Sequence, residues 1–165
     1  MALKTNILGM THEYSDSFEV GREKVREYAT SVKADDPASH DDAAAAELGY
    51  DGLVAPPTFM SVLALLVQKE FFRVVDVGMD TMQIVQVDQK FVYHKPIVAG
   101  DRVWSRFDVQ SVTERFGADI VVTKNTLTNA AGEIVMEAYT TLMGQEGGES
   151  SKIKFDAATG NITRA

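Results

Sequence analysis

The residues that could do chemistry crowd into one stretch, Lys33 to Leu48, where Asp35, Asp36, Asp41 and Asp42 surround a single histidine, His40. A carboxylate beside an imidazole is the usual make-up of a general acid–base pair, because imidazole titrates near neutrality and the carboxylate orients it. The same residues have a plainer reading. Asp35 and Asp36 precede a proline and suit a solvated turn, and Asp41 and Asp42 stand where acidic side chains favour the start of a helix. A metal site is not expected, because no second histidine and no cysteine stands nearby; His12 and His94 are isolated and read as structural or exposed. Without cysteine, disulfides, thiolate ligands and a cysteine nucleophile are all excluded. Nothing in the stretch calls for a cofactor.

These residues sit just ahead of the one long apolar run, Pro57 to Val75, which must position them. Ala55-Pro56-Pro57 blocks an earlier helix start, Thr58 is placed to cap, and no Pro or Gly recurs until Gly78, so a helix of about five turns is predicted. Phe59, Val62, Leu63, Leu66, Val67 and Phe71 form one stripe, while Met60, Ala64, Leu65 and Phe72 make the other side apolar too, so the helix is expected to be buried all round. Gln68-Lys69-Glu70 within the run argues against a membrane span and for a helix enclosed by sheet. Upstream, Phe18-Glu19-Val20 reads as a short strand, Arg22 to Lys33 as an amphipathic helix, and Asp41 to Leu48 as a second short helix capped by Gly49.

From Met82 the hydrophobic period becomes two. Val85, Val87, Phe91 and Tyr93 alternate with Gln86, Asp88 and Lys90, which predicts a long strand whose odd positions lie on the central helix. Val103, Phe107 and Val109 mark a second strand, Phe116-Gly117 a tight turn, Ala118 to Thr128 a third strand of mixed alternation, and Ile134 to Leu142 a fourth. The class is α+β: a five-stranded antiparallel sheet wrapped around a long central helix, the hot-dog arrangement. Residues 1–145 form that domain, and 146–165 a polar linker with a C-terminal extension. An unpaired sheet edge predicts dimerisation.

The charge balance narrows the partners. Sixteen basic and twenty-four acidic side chains give a net charge of −8, which opposes nucleic-acid and anionic-membrane binding. The N-terminus lacks an apolar stretch of signal-peptide length, so a cytoplasmic protein is expected.

VKADDPASHDDAAAAELGYDGLVAPPTF, MQIVQVDQKFVYHKPIVAGD, ERFGADIVVTKNTLTN and EAYTTLMGQ together resemble the MaoC-like hydratase and dehydratase family over about residues 1–145. Within it they are especially similar to the HadC-type subunits of mycobacterial (3R)-hydroxyacyl-ACP dehydratase. The resemblance implies the hot-dog fold, action on acyl thioesters and a catalytic loop of the form Asp-x-Asn-Pro-x-His ahead of the central helix. With the proline matched to Pro37, the aspartate position falls on Ala34, the asparagine position on Asp36 and the histidine position on Ser39. Alanine binds no proton, and an unassisted serine is a poor base. Where active relatives carry His-Gly-Met at the helix start, this chain has Ala55-Pro56-Pro57, and proline offers no N–H to an oxyanion.

No catalytic residue of its own is therefore expected, Asp36 and His40 being the candidates that could rescue one. The resemblance implies a non-catalytic, acyl-chain-binding subunit of a heterodimeric dehydratase in type II long-chain or mycolic fatty acid synthesis. Its partners would be a HadB-like catalytic hot-dog subunit and an acyl carrier protein, with a homodimer when that subunit is absent. Thr58, Phe59, Met60 and Leu63 are the expected substrate-binding residues. A homodimeric enoyl-thioester hydratase using Asp36 and His40, and a non-enzymatic acyl-thioester binder, are the alternatives.

Overall fold

The structure, a computed structural model, describes residues 3–78, 82–146, 153–156 and 159–164. In chain order its elements are β1 (Thr11–Glu13), β2 (Phe18–Glu19), α1 (Arg22–Ser31), a 3-10 turn at Pro37–Ser39, α2 (Asp42–Glu47) and α3 (Ser61–Val74), then β3 (Met82–Tyr93), β4 (Arg102–Arg115), β5 (Ala118–Asn129), β6 (Ile134–Glu146), β7 (Ile153–Asp156) and β8 (Asn161–Arg164).

The main sheet is antiparallel with order β1-β4-β5-β6-β3, and β2 pairs with β4 beside β1. β1 and β2 share one edge position, so the sheet is five strands wide and curls around α3 in the expected hot-dog manner. The split edge strand is half new. β2 matches the reading of Phe18-Glu19, whereas nothing in the alternation of Thr11-His12-Glu13 marks β1, which is held by pairing with Phe107 and its neighbours. β7 and β8 form a separate two-stranded sheet. The linker expected just before them falls almost wholly on residues 147–152, outside those described.

The core forms where α3 meets the concave face. Leu63, Val67 and Phe71 are fully buried, and the Phe71 ring lies 4.9 Å from that of Phe107 on β4. Burying each large apolar side chain contributes about 1.5–3 kcal/mol, so this stripe and the residues beneath it dominate stability.

Two expectations about α3 need correction. The helix begins at Ser61, not at Thr58, because residues 57–60 turn tightly, with Phe59 N–H donating to Pro56 O and Ser61 N–H to Thr58 O. Thr58 does not cap it; its hydroxyl and its carbonyl both accept from the Tyr28 hydroxyl. Nor is the helix buried all round, since Leu65 and Val74 are about two thirds exposed (65% and 66%).

β3 also departs from its reading. The pairing with β6 shifts between Gln86 and Asp88, leaving Val87 as a bulge. Past the bulge, Gln89, Phe91 and Tyr93 pair with Thr140, Ala138 and Met136 and share their inward face. Before it, Ile84 and Gln86 face inward, and Val85 pairs with Met143 on the outer face. Val85 and Val87 therefore do not lie on the helix; both are about half exposed. Only the β6 side of β3 is paired among the described residues, so β3 is the long free edge of the sheet.

Candidate functional site

The loop that resembles the catalytic motif is a well-tied structural turn. Asp36 is exposed, and its Oδ1 accepts from Ala38 N–H at 3.0 Å, capping the 3-10 turn at Pro37–Ser39. Ser39 is buried, and its hydroxyl donates to Val54 O at 2.7 Å. His40 is half buried and places Nε2 2.7 Å from Ala34 O; a carbonyl only accepts, so that nitrogen carries the proton. Its own carbonyl accepts from Arg26 Nε at 3.1 Å, and Arg22 of α1 pairs with Asp42 of α2. The Arg22 hydrogen bond is the main cause holding Asp42 below the usual carboxylate range. Asp41 accepts from Ala44 N–H as the α2 cap.

The structure thus brings Ala34 and His40 together through a backbone carbonyl, and it gives Asp36 and His40 separate partners rather than each other. Ser39 is occupied with holding the following segment. Gly52 explains how closely that segment runs past its neighbour: a Cβ there would meet Ala99 O at 2.6 Å.

The start of α3 offers no oxyanion cradle at the matched position. Ala55 N–H is spent on Ile97 O, Phe59 N–H on Pro56 O, and Pro56 and Pro57 have none to give. At the positions the resemblance matches to the motif stand Ala34, Ser39 and Pro56, which carry no carboxylate, no imidazole and no backbone N–H respectively.

Two cavities flank this end of the helix. One, of about 340 Å³, is walled by Val54 to Pro57, Met60, Tyr93 to Ile97 and Met136. At its rim the Tyr93 hydroxyl donates to Pro57 O at 2.7 Å, and Lys95 and His94 are engaged by Glu133 and Glu137.

The other, of about 390 Å³, is a cleft between α3 and the inner sheet face, lined by Thr58, Ser61, Ala64, Leu65 and Gln68 from the helix side. Opposite them stand Gln86, Gln89, Phe91, Phe107, Thr123, Asn125 and Thr140. Both volumes fall in the range of small-molecule sites, about 300–1,000 Å³.

Of the expected substrate-binding residues, Thr58 lines the cleft and Met60 the first cavity. Phe59 and Leu63 line neither; both are fully buried, with Phe59 packed edge-on against Tyr28 and Phe18. The cleft's polar wall was not foreseen, although a signal existed in β5. Val121, Thr123, Asn125 and Leu127 share one phase of the alternation, so two polar residues occupy core positions between two apolar ones.

A concave antiparallel sheet around a helix, with a loop and a helix start at these positions, defines a dehydratase-type hot-dog domain. The FAS1-like dehydratase domain region matches residues 7–138, and the chain belongs to that family. More particularly, it is 62% identical over 164 residues to a UPF0336 protein of Mycobacterium tuberculosis, covering 99% of both chains.

It is also 62% identical, with a TM-score of 0.81, to a chain in the crystal structure of a C-terminally truncated HadBC (3R-hydroxyacyl-ACP dehydratase) complex from Mycobacterium tuberculosis. That match covers 86% of this chain and 99% of the other. A MaoC-like dehydratase matches at 39% identity and a TM-score of 0.80, over 89% of this chain but only 44% of its own.

Among the described residues no cluster of three potential ligands could hold a metal, and no helix is long and apolar enough to cross a membrane.

Proposed function

We propose that this chain is the subunit without the catalytic dyad in a heteromeric (3R)-hydroxyacyl-ACP dehydratase of type II long-chain or mycolic fatty acid synthesis. It binds acyl chains and completes the scaffold, while a HadB-like hot-dog partner supplies acid and base. The observation that carries this is the motif loop, where Ala34 and Ser39 stand at the acid and base positions and the Ser39 hydroxyl is committed to Val54 O.

Other features support the pairing. β3 is an unpaired edge twelve residues long with Ile84, Val85, Val87 and Tyr93 exposed, and a second hot-dog sheet aligned there would continue the ladder. The exposed Leu65 of α3 would be covered by the same partner. A solved HadBC complex contains a chain this similar, and in the longer MaoC-like dehydratase the matched segment is less than half of the chain, leaving room for a second such unit.

Co-expression with a candidate hot-dog partner, purification and a dehydration assay on 3-hydroxyacyl thioesters test the reading. A stable mixed complex that turns over, with the isolated chain at background and self-associated, is the expected result. Robust hydration of enoyl thioesters by the isolated chain would replace it with the homodimeric hydratase reading.

A further inference from the structure

Charge is unevenly spread along this chain. Residues 1–151 carry thirteen basic against twenty-three acidic side chains, whereas the last fourteen carry Lys152, Lys154 and Arg164 against Asp156 alone. Most of that basic segment is the hairpin β7–β8. The strands pair from Ile153 opposite Arg164 to Asp156 opposite Asn161, Gly160 N–H donates to Asp156 O at 2.6 Å, and the Asp156 carboxylate accepts from the Thr159 hydroxyl at 2.7 Å. The segment's one acidic side chain is engaged in its own turn.

The hairpin is seated on α3. A Cβ at Gly160 would overlap Lys69 Cε and fall 3.0 Å from its Nζ, so the turn lies directly against this lysine. Lys69 and Arg73 stand one helical turn apart, both exposed, and among the described residues neither pairs with a carboxylate. Other exposed cations are paired, as Arg22 is with Asp42, Lys95 with Glu133 and Arg106 with Asp108. Glu70, which separates the two in sequence, serves the β1 edge instead, accepting from the Ser15 hydroxyl and lying 3.1 Å from His12 Nε2. Arg73 in the last turn favours the helix dipole, but Lys69 four residues before it adds like-charge repulsion.

The same helix borders the cleft through Leu65 and Gln68, so the cationic face lies beside the cleft's mouth. We propose that the Lys69–Arg73 face of α3 and the basic hairpin on it form one docking surface for a protein with an acidic surface. On the dehydratase reading of the preceding subsection, on which this rests, that protein is the acyl carrier. Charges farther than about 10 Å from a contact are largely screened, so a small acidic protein responds to the patch and not to the net charge of −8. An extended anionic membrane would face the acidic remainder of the chain as well.

The test uses the mixed complex and one 3-hydroxyacyl chain presented in two ways, on the acyl carrier and on free pantetheine, which is uncharged. Lys69→Glu combined with Arg73→Glu should raise KM for the carrier-linked substrate about tenfold with kcat unchanged, since like charges set face to face weaken an encounter. The pantetheine thioester should keep the parent kcat/KM, which shows the fold and the site intact. Added salt should raise the parent's KM for the carrier-linked substrate and leave that of the variant nearly flat. Lys152→Glu, Lys154→Glu and Arg164→Glu together should give a smaller rise of the same kind. An unchanged KM for the carrier-linked substrate in both variants, with the pantetheine thioester still turned over, overturns the proposal and leaves the subunit reading standing. Equal losses on both substrates make the effect structural and also overturn it. So does parent binding to phosphatidylglycerol vesicles that the α3 variant loses while its carrier KM holds, which assigns the face to a membrane. No turnover of either substrate by the parent complex overturns the subunit reading too.

Discussion

The motif loop and the inner-face cleft lie at the same end of one fold and have opposite characters. In the loop each candidate catalytic side chain already holds a backbone partner: Ser39 Oγ with Val54 O, His40 Nε2 with Ala34 O, and Asp36 Oδ1 with Ala38 N–H. In the cleft, Asn125 receives only a 3.4 Å contact from the Ser105 hydroxyl. Polar groups saturated by their own backbone stabilise a turn, whereas polar groups that line an open cleft stay accessible to water. The contrast separates two kinds of polar group within one domain, those tied to their own backbone and those that line a cleft.

The largest effect should come from the backbone that holds the loop region. Gly52→Ala places a methyl against Ala99 O, where backbone rather than a flexible side chain must yield, so a loss of about 1–3 kcal/mol in urea unfolding is expected. An unchanged midpoint would show that the segment is looser than its packing implies.

Next, Ser39→Ala should cost about 1–3 kcal/mol of stability by stranding Val54 O, with dehydration by the mixed complex unaffected once folded. A selective loss of turnover at full stability would turn the structural turn back into a catalytic loop.

On the other side of the comparison, Ala64→Phe narrows the cleft and should shorten the longest chain accepted, read as a length profile of kcat/KM. Leu63→Trp enlarges a closed core position and should instead cost about 1–3 kcal/mol of stability with equal loss at all lengths. If the two variants exchange behaviours, the channel runs through the core stripe and not through the cleft.

The smallest effect concerns acid. Hydrogen bonds from Lys124, at 2.5 Å, and from His94 hold Glu137 below the usual carboxylate range. Burial pushes Glu70 upward, but bonds from Ser15 and His12 outweigh it and leave this carboxylate lowered too. A carboxylate depressed in the folded state stabilises above its unfolded pKa, and that contribution is lost as pH falls below about 4.5. Thermal midpoints measured from pH 7 down to about pH 2 should fall less steeply for Glu137→Gln than for the parent chain, with the difference appearing below about pH 4.5. Parallel curves would assign the acid response to other groups.

How much of this was legible in the residues varied with the range of the interaction involved. The class of fold followed from one apolar helical run ahead of four period-two stretches, both local patterns, whereas Ala34, Ser39 and Pro56 were matched to motif positions only through the family resemblance.

What escaped depended on pairing at a distance. The bulge at Val87 moves Val85 to the outer face, and no local propensity announces it. The helix start slipped from Thr58 to Ser61 because Tyr28, thirty residues away, claims the threonine that was read as a cap. Phe59 and Leu63 looked like tunnel residues on a helix assumed to face a ligand, and which side of α3 faces the cleft is set by the sheet's curl. Thr123 and Asn125 carried a signal, polar residues in phase with Val121 and Leu127, but it takes the assembled concave face to turn that phase into a cleft wall.

The claim that this chain binds without catalysing is tested most directly in the mixed complex with the partner's acid and base replaced. Dehydration should then fall to background even though this chain is intact, and His40→Ala beside a wild-type partner should leave turnover at the level of the parent complex. Residual turnover in the first complex that His40→Ala removes would contradict the account and place a working base in the loop.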